Sequence, residues 1–331
     1  MTAVHAQELI GYVEDTVNPE DLALIPGTKW VVSSTDKTPG KPKPGYLYII
    51  DSLTGTAKLV DAKVARASTA GDPSCKPIPL DQLALSGLNM RVGADGSRQL
   101  LAVNRGDRMS VEFFDIDLPG SVPTLTWVGC LNMPAKAFPN SVVPMTNGGL
   151  AVTVSFETDN TKLVEQLEEG QNTGYLLVWT RESGFSRVQG SDSPLTNGVE
   201  VDQDERFFYV AGWGSESLSK LPVQPGEGSP STVSLGIKPD NIRWSKNGNL
   251  IIAGQVQSAT QIFECVASST DVCPVPFKVI EVDPLTMTVV KVLIDGESLS
   301  TYAGATTALE VGGEIWVGSF RNKHIARYAT D

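Results

Sequence analysis

SKNGNLIIAG (245–254) joins a polar turn to a short apolar run, and the same phrase recurs along the chain. The other copies are IPGTKWVVSS (25–34), GADGSRQLLAVN (93–104), MTNGGLAVTVS (145–155), DQDERFFYVAG (202–212) and EVGGEIWVGS (310–319). In each, Gly, Asn or Asp supplies the turn and an apolar strand follows. A polar residue stands at a near-constant distance ahead of every copy. Counting ten forward from Glu20, Asn140, Asn197, Asp240 and Thr306 reaches Trp30, Leu150, Phe207, Leu250 and Trp316. Ser86 reaches Leu100 through a turn four residues longer. Equal offsets within a repeated unit imply equivalent places in space. Copies arranged about an axis would therefore set these six side chains in one ring.

Successive ring positions lie 66, 54, 57, 43 and 66 residues apart. Each interval holds about four strand-sized segments, the repeat of a β-propeller. Six copies predict an all-β, six-bladed β-propeller with four-stranded antiparallel blades, one domain over 1–331. Strands are expected at 46–50, 57–61, 111–117, 174–180, 277–283, 288–294 and 324–329, several of them alternating apolar and polar residues as half-buried strands do. The first strand, ELIGYV (8–13), is expected to pair with HIARYA (324–329) and close the circle without a free edge. The one helical pattern is TKLVEQLEEG (161–170), with Leu163, Val164 and Leu167 on one face and Gly170 as a stop.

The 331 residues include 31 Gly and 21 Pro, in keeping with many short strands joined by turns, and 41% are apolar, enough for a core. A net charge of −12 and a pI near 4.7 argue against nucleic-acid or anionic-lipid partners. No stretch reaches the roughly 18 apolar residues a membrane helix needs. Four cysteines allow three pairings. Cys265 and Cys273 flank a segment read as a loop and suit a local staple; Cys75 and Cys130 suit a bridge from the loop before the second blade to the strand before the third. Two such bridges point to an oxidising compartment. No apolar leader opens the sequence as written, while MTAVHAQ resembles the residue of a processing site. The expectation leans to an exported or periplasmic protein, with a cytoplasmic one as the alternative. A closed propeller offers no edge to pair, so a monomer is expected.

PEDLALIPGTKWVVSS (19–34) resembles the opening of the paraoxonase/arylesterase family. FPNSVVPMTNGGLAV (138–152), TNGVEVDQDERFFYVAGW (196–213) and KPDNIRWSKNGNLIIAG (238–254) are similar to three further metal-ligand blocks of that family. The related gluconolactonase/regucalcin proteins and diisopropyl fluorophosphatase share these blocks. GATTALEVGGEIWVGSFRNKHIARY (304–328) resembles the closing blade. The resemblance implies a calcium ion at the channel mouth, held by Glu20, Asn140, Asn197 and Asp240 with Asn241 adjacent. Two carboxylates and amide oxygens suit a hard cation, Ca²⁺ or in its place Mg²⁺, Mn²⁺ or Zn²⁺, and no Cys or His stands at these positions. A second, buried calcium of paraoxonases would map to Asp21, the Leu88 carbonyl and Ser141. The family has a carboxylate where Ser141 stands, so a second ion is not expected.

An ion facing the channel would polarise a lactone or ester carbonyl. The paraoxonase histidine pair maps to Ser86 and Arg105. The chain's two histidines, His5 and His324, lie elsewhere in the sequence. The gluconolactonase-like branch works instead through the acid corresponding to Asp240. Asp240 is accordingly expected to act as base or nucleophile, with Glu20 as its acidic partner. Ser86, Arg105, Trp213 and Thr306 are the candidate substrate contacts, and the loop 156–173 is a candidate lid. The function implied is a metal-dependent lactone or ester hydrolase. The alternative is a non-hydrolytic propeller that keeps the ring: a ligand-binding protein, or a synthase or isomerase similar to strictosidine synthase.

Overall fold

The computed structural model of the chain describes residues 7–41, 46–65, 68–296 and 302–330; His5 lies outside them. Among the described residues six sheets follow one another, each built on a four-stranded antiparallel order that begins at its innermost strand, with two short parallel additions in the second. Blade one comprises Leu22–Leu24, Trp30–Ser34, Leu47–Asp51 and Thr56–Leu59. Blade two comprises Leu85–Val92, Arg98–Arg105, Met109–Asp117 and Thr124–Asn132, widened at its outer edge by Lys63–Val64 and Ala70–Gly71. Blades three, four and five open with Ala137–Pro144, Thr196–Val201 and Lys238–Trp244. Blade six runs Ala305–Val311, Glu314–Ser319 and Ile325–Ala329, and its fourth strand is Leu9–Val13 from the beginning of the chain. Val13 pairs with Ile325 and Tyr12 with Ala326, the closure expected from the sequence. The six inner strands neighbour one another in cyclic order around the axis.

The core is divided. Six buried clusters each join two adjacent blades. Leu100 packs towards blade one with Val32 and Ile49, whereas its neighbour Leu101 packs towards blade three with Val142 and Val152. Ile251 and Ile252 divide in the same way between blades six and four. Strands sandwiched between two blades are therefore buried on both faces. That is why the repeated phrase reads LLAV or LIIAG, a continuous apolar run, and not the alternation expected for half-buried strands.

Two helices interrupt the strands. The first, α1, spans Leu163–Glu168, inside the expected helical segment. The second, α2, spans Ala259–Ala267, where the sequence was read as a loop. Ser258 caps it by accepting from the Gln261 amide, and Ile262, Phe263 and Val266 join one apolar cluster. Both expected disulfides are present, Cys75–Cys130 and Cys265–Cys273, with Cα–Cα separations of 5.6 and 5.7 Å. The second ties α2 back to the loop that leads into blade five's third strand. Among the described residues, no helix is long and apolar enough to cross a membrane.

Candidate functional site

Each blade presents its ring residue through a local irregularity. The inner strands lose register with their neighbours between Leu85 and Leu88, Pro139 and Val142, Thr196 and Val199, Pro239 and Ile242, and Ala305 and Thr307. Ser86, Asn140, Asn197, Asp240 and Thr306 all fall within these shifts. A bulge places extra residues on one strand and re-aims their side chains, which lets polar groups leave the sheet for the channel. Glu20 precedes the inner strand of blade one. Its backbone carbonyl accepts the Thr306 hydroxyl at 2.6 Å. Glycine makes the close approach between blades feasible: a Cβ on Gly87 would lie 2.3 Å from the Asn140 carbonyl oxygen, and one on Gly198 2.3 Å from that of Asp240.

Four of the bulged residues, Asn140, Asn197, Asp240 and Thr306, converge with Glu20 on a cavity of about 320 Å³. The four proposed ligands that line it are buried, Glu20 at 3% exposure and Asp240 at 7%. Their hydrogen bonding is incomplete. Glu20 Oε2, Asn140 Oδ1, Asn197 Oδ1 and the adjacent Asn241 Oδ1 are buried oxygens without a hydrogen-bond partner. Buried polar atoms are ordinarily satisfied, so four orphaned oxygens from four blades are a donor set suited to a hard cation. Glu20 Oε1 accepts only a long 3.5 Å bond from Asn241 Nδ2, and the Arg105 guanidinium stands 3.9 Å away.

Asp240 is better held. Its Oδ2 accepts from Gln255 Nε2 at 2.9 Å; Gln255 also donates to the Ala305 carbonyl at 2.6 Å and accepts from Trp213 Nε1 at 2.7 Å. Burial pushes the Asp240 carboxyl up to about 7, against the opposing effects of the Gln255 bond and Arg105. Burial likewise holds Glu20 well above the usual carboxylate range, with Arg105 opposing and Asp21 and Asp240 adding to the rise. Two neighbouring buried acids of like charge both resist ionisation where they stand.

Above this polar floor the wall is apolar. Phe138 and Phe156 stack at 4.4 Å between ring centres, and Leu195, Trp213 and Phe320 continue the surface. Ile262, Phe263 and Val266 of α2 complete it. The loop at 156–173 does not stand alone as a lid. Glu168 at the end of α1 accepts from the Thr260 amide and hydroxyl of α2, each at 2.9 Å, so the two helices form one roof.

The expected substrate contacts divide. Arg105 and Trp213 line the cavity, Arg105 lying over the Phe138 ring at 5.4 Å. Thr306 lines it too, with its hydroxyl proton already given to Glu20. Ser86 is buried with an unpartnered Oγ, and the cavity wall at its blade is made by Ala84 and Arg105 instead. His324 lies beside Glu14 and Tyr12 on the closing blade, outside the cavity wall. Sequence reading missed Gln255, Ser155, Phe138 and the α2 side chains. A signal existed for two of them: Arg105, Ser155 and Gln255 each fall five residues after Leu100, Leu150 and Leu250, a second ring in register with the first.

No protein-family model matches this chain, and no curated protein matches it. Solved structures do. The chain is similar to a luciferin-regenerating enzyme at 13% identity and a TM-score of 0.56, covering 97% of this chain and 94% of that one. It is similar to a gluconolactonase of Xanthomonas campestris at 13% identity and 0.55, covering 100% and 93%. It is also similar to regucalcin, a calcium-binding protein of Agrobacterium tumefaciens, at 10% identity and 0.55, covering 98% and 95%. At these identities the likeness establishes the fold.

Proposed function

We propose that the chain is a divalent-metal-dependent hydrolase of lactones or esters, with Ca²⁺ as the resident ion. One observation carries this reading: the orphaned oxygens of Glu20, Asn140 and Asn197 gather with Asp240 on the floor of a largely apolar cavity, and Asn241, whose Nδ2 lies 3.5 Å from Glu20 Oε1, holds a fourth. The gluconolactonase and the calcium-binding regucalcin among the similar structures support it. A bound ion would be held by Glu20, Asn140, Asn197 and Asp240, and would supply polarisation of the scissile carbonyl and stabilisation of its developing charge.

The protein's own residues divide the remaining work. Asp240 is the general base or nucleophile. Gln255 fixes its Oδ2, leaving the other oxygen free of that bond to take a proton from water or to attack the carbonyl carbon. Trp213 in turn locks Gln255, so it is a positioning residue as well as part of the wall. Arg105 is placed to bind an anionic or strongly polar end of the substrate. Phe138, Phe156, Phe263 and Phe320 favour a substrate with an apolar body over a polyhydroxylated one, because hydroxyls laid against these rings would lose their water partners without replacement. The two disulfides favour an exported enzyme.

The non-hydrolytic alternative rests on Arg105, whose guanidinium, 3.9 Å from Glu20, offsets part of the ring charge without an ion. A panel of γ- and δ-lactones and aryl esters, assayed with and without EDTA, separates the two readings. The hydrolase reading expects turnover of apolar lactones or esters that EDTA abolishes and Ca²⁺ restores. Turnover indifferent to chelation, in protein shown by elemental analysis to be metal-free, rejects it.

A further inference from the structure

One layer further along the inner strands stands a second buried cluster, built around a cation that belongs to the chain. Asp21, Leu88, Glu200 and Arg243 follow the ring residues Glu20, Ser86, Asn197 and Asp240 by one to three positions, a shift of one to three residues of strand rise along the channel. The Arg243 guanidinium reaches across four blades. Its Nη2 donates to Asp21 Oδ2 and to the Leu88 carbonyl, the latter at 2.8 Å. Its Nε donates to the Leu22 carbonyl at 3.0 Å, and its Nη1 lies 3.4 Å from Glu200 Oε1. Asp21 is fully buried, and Arg243 and Glu200 nearly so. Asp21 also accepts from the Leu22 and Leu88 amides at 2.8 and 2.7 Å, and Glu200 from Asn89 at 3.2 Å.

Carboxylate and backbone-carbonyl oxygens drawn from separate blades form the donor set a hard divalent ion would use. Here they surround a guanidinium, which stays charged at all working pH values and cannot be removed by a chelator. Arg243 hydrogen-bonds Asp21 directly, whereas the ring's nearest guanidinium, Arg105, stands 3.9 Å from Glu20. Both Asp21 oxygens and Glu200 Oε1 accept hydrogen bonds, whereas Glu20 Oε2 is buried without a partner.

We propose that Arg243 is a built-in cation occupying a second cation position in the channel, so that Asp21 and Glu200 bind no divalent ion in the native protein and acquire one when the guanidinium is removed. The inference goes beyond the hydrolase reading, because it concerns the layer behind the ring. The test counts Ca²⁺ by native mass spectrometry and calorimetric titration on the intact wild type, Arg243→Ala, and Arg243→Ala combined with Asp21→Asn. Arg243→Ala is expected to bind one Ca²⁺ more than wild type, to show a larger Ca²⁺-dependent rise in Tm than wild type, and to lose both increments in the double variant. Arg243→Lys, which keeps a cation in place, is expected to retain the wild-type count. An Arg243→Ala protein with the wild-type count overturns the proposal, as does a wild-type ion that Asp21→Asn alone removes. If Arg243→Ala is recovered only unfolded, refolding with and without millimolar Ca²⁺ decides. Calcium-dependent recovery supports the proposal; recovery indifferent to calcium, or failing in both, overturns it. A wild type that binds no Ca²⁺, beside an Arg243→Ala variant that binds one through Asp21, would reject the ring reading and leave this one standing.

Discussion

Glu20 and Glu112 are both buried glutamates, and their surroundings give them different parts. Glu112 accepts from Ser110 Oγ and Arg108 Nε on one oxygen, and from Arg108 Nη2 and Trp127 Nε1 on the other, all within 2.9 Å. It is a finished structural ion pair. Glu20 Oε2 has no partner, the incompleteness on which the proposed metal site rests. Asp240 is the residue on which turnover should depend. Asp240→Ala is expected to lower kcat by about 10²–10⁴-fold, while His324→Ala, beside Glu14 on the closing blade, should keep most of the activity; comparable losses from both would contradict the assignment. The raised carboxyls also set a pH dependence. Burial pushes folded Asp240 up to about 7, above its ordinary unfolded value near 3.8, so in metal-free protein its contribution to stability is complete below about pH 4 and is lost as pH rises from there to 7. Burial of Glu20 acts in the same direction. Without metal, Tm should therefore fall between about pH 4 and 7 and level off above that, and saturating Ca²⁺ should remove the fall by compensating the ionised pair. Ca²⁺ affinity should weaken as pH drops below 7, because protons then compete for the ligands. Thermal denaturation with and without Ca²⁺ across this range checks both signs.

At the scale of elements, the bulge is the device that matters. A regular inner strand would send its polar residues alternately into the packed interfaces between blades, where a carboxylate has no place. The register shifts at Asn140, Asn197, Asp240 and Thr306 accompany their turn into the cavity, and Gly87 and Gly198 give neighbouring inner strands the room to meet there. Gly198→Ala should push against the Asp240 carbonyl, cost about 1–3 kcal/mol of stability and weaken Ca²⁺ binding, as denaturant titration and calorimetry would show. The roof is the other element with a direct consequence. The Cys265–Cys273 bridge closes only eight residues, so replacing both cysteines by serine should cost about 2–3 kcal/mol in the chain-entropy picture. Since Ile262, Phe263 and Val266 come from the helix so tethered, KM for apolar substrates should rise more than kcat falls. An unchanged KM would mean that α2 does not touch the substrate. This helix escaped sequence reading because it is short and rich in β-branched, aromatic and cysteine residues, which carry little helical preference of their own; burial against Leu167, Trp213 and Phe320 decides it.

For the molecule as a whole, closure through the first strand is the decisive joint. Leu9–Val13 supplies the outer strand of blade six, so the circle is held by pairing between the two ends of the chain. Removing residues up to 13 should expose the edge of Ile325–Ala329, lower Tm and promote concentration-dependent association, measurable by calorimetry and light scattering. The repeat that revealed six blades was legible because every blade must make the same turn into a strand buried on both faces, and that demand is written locally in each copy. The ring was legible for the same reason: a bulge at a fixed position leaves a fixed offset, from Asp240 to Leu250 as from Asn140 to Leu150. The amino-acid order alone thus determined the architecture and the closing strand, favoured the two cysteine pairs that form, and marked Glu20, Asn140, Asn197, Asp240 and Thr306 of the cavity wall. The tertiary structure alone decided which of those polar atoms find partners. Gln255 bonding Asp240, Arg243 bonding Asp21 and Leu88, and Glu20 Oε2 bonding nothing are relations between blades. They depend on distances across the channel, which no spacing along the chain encodes.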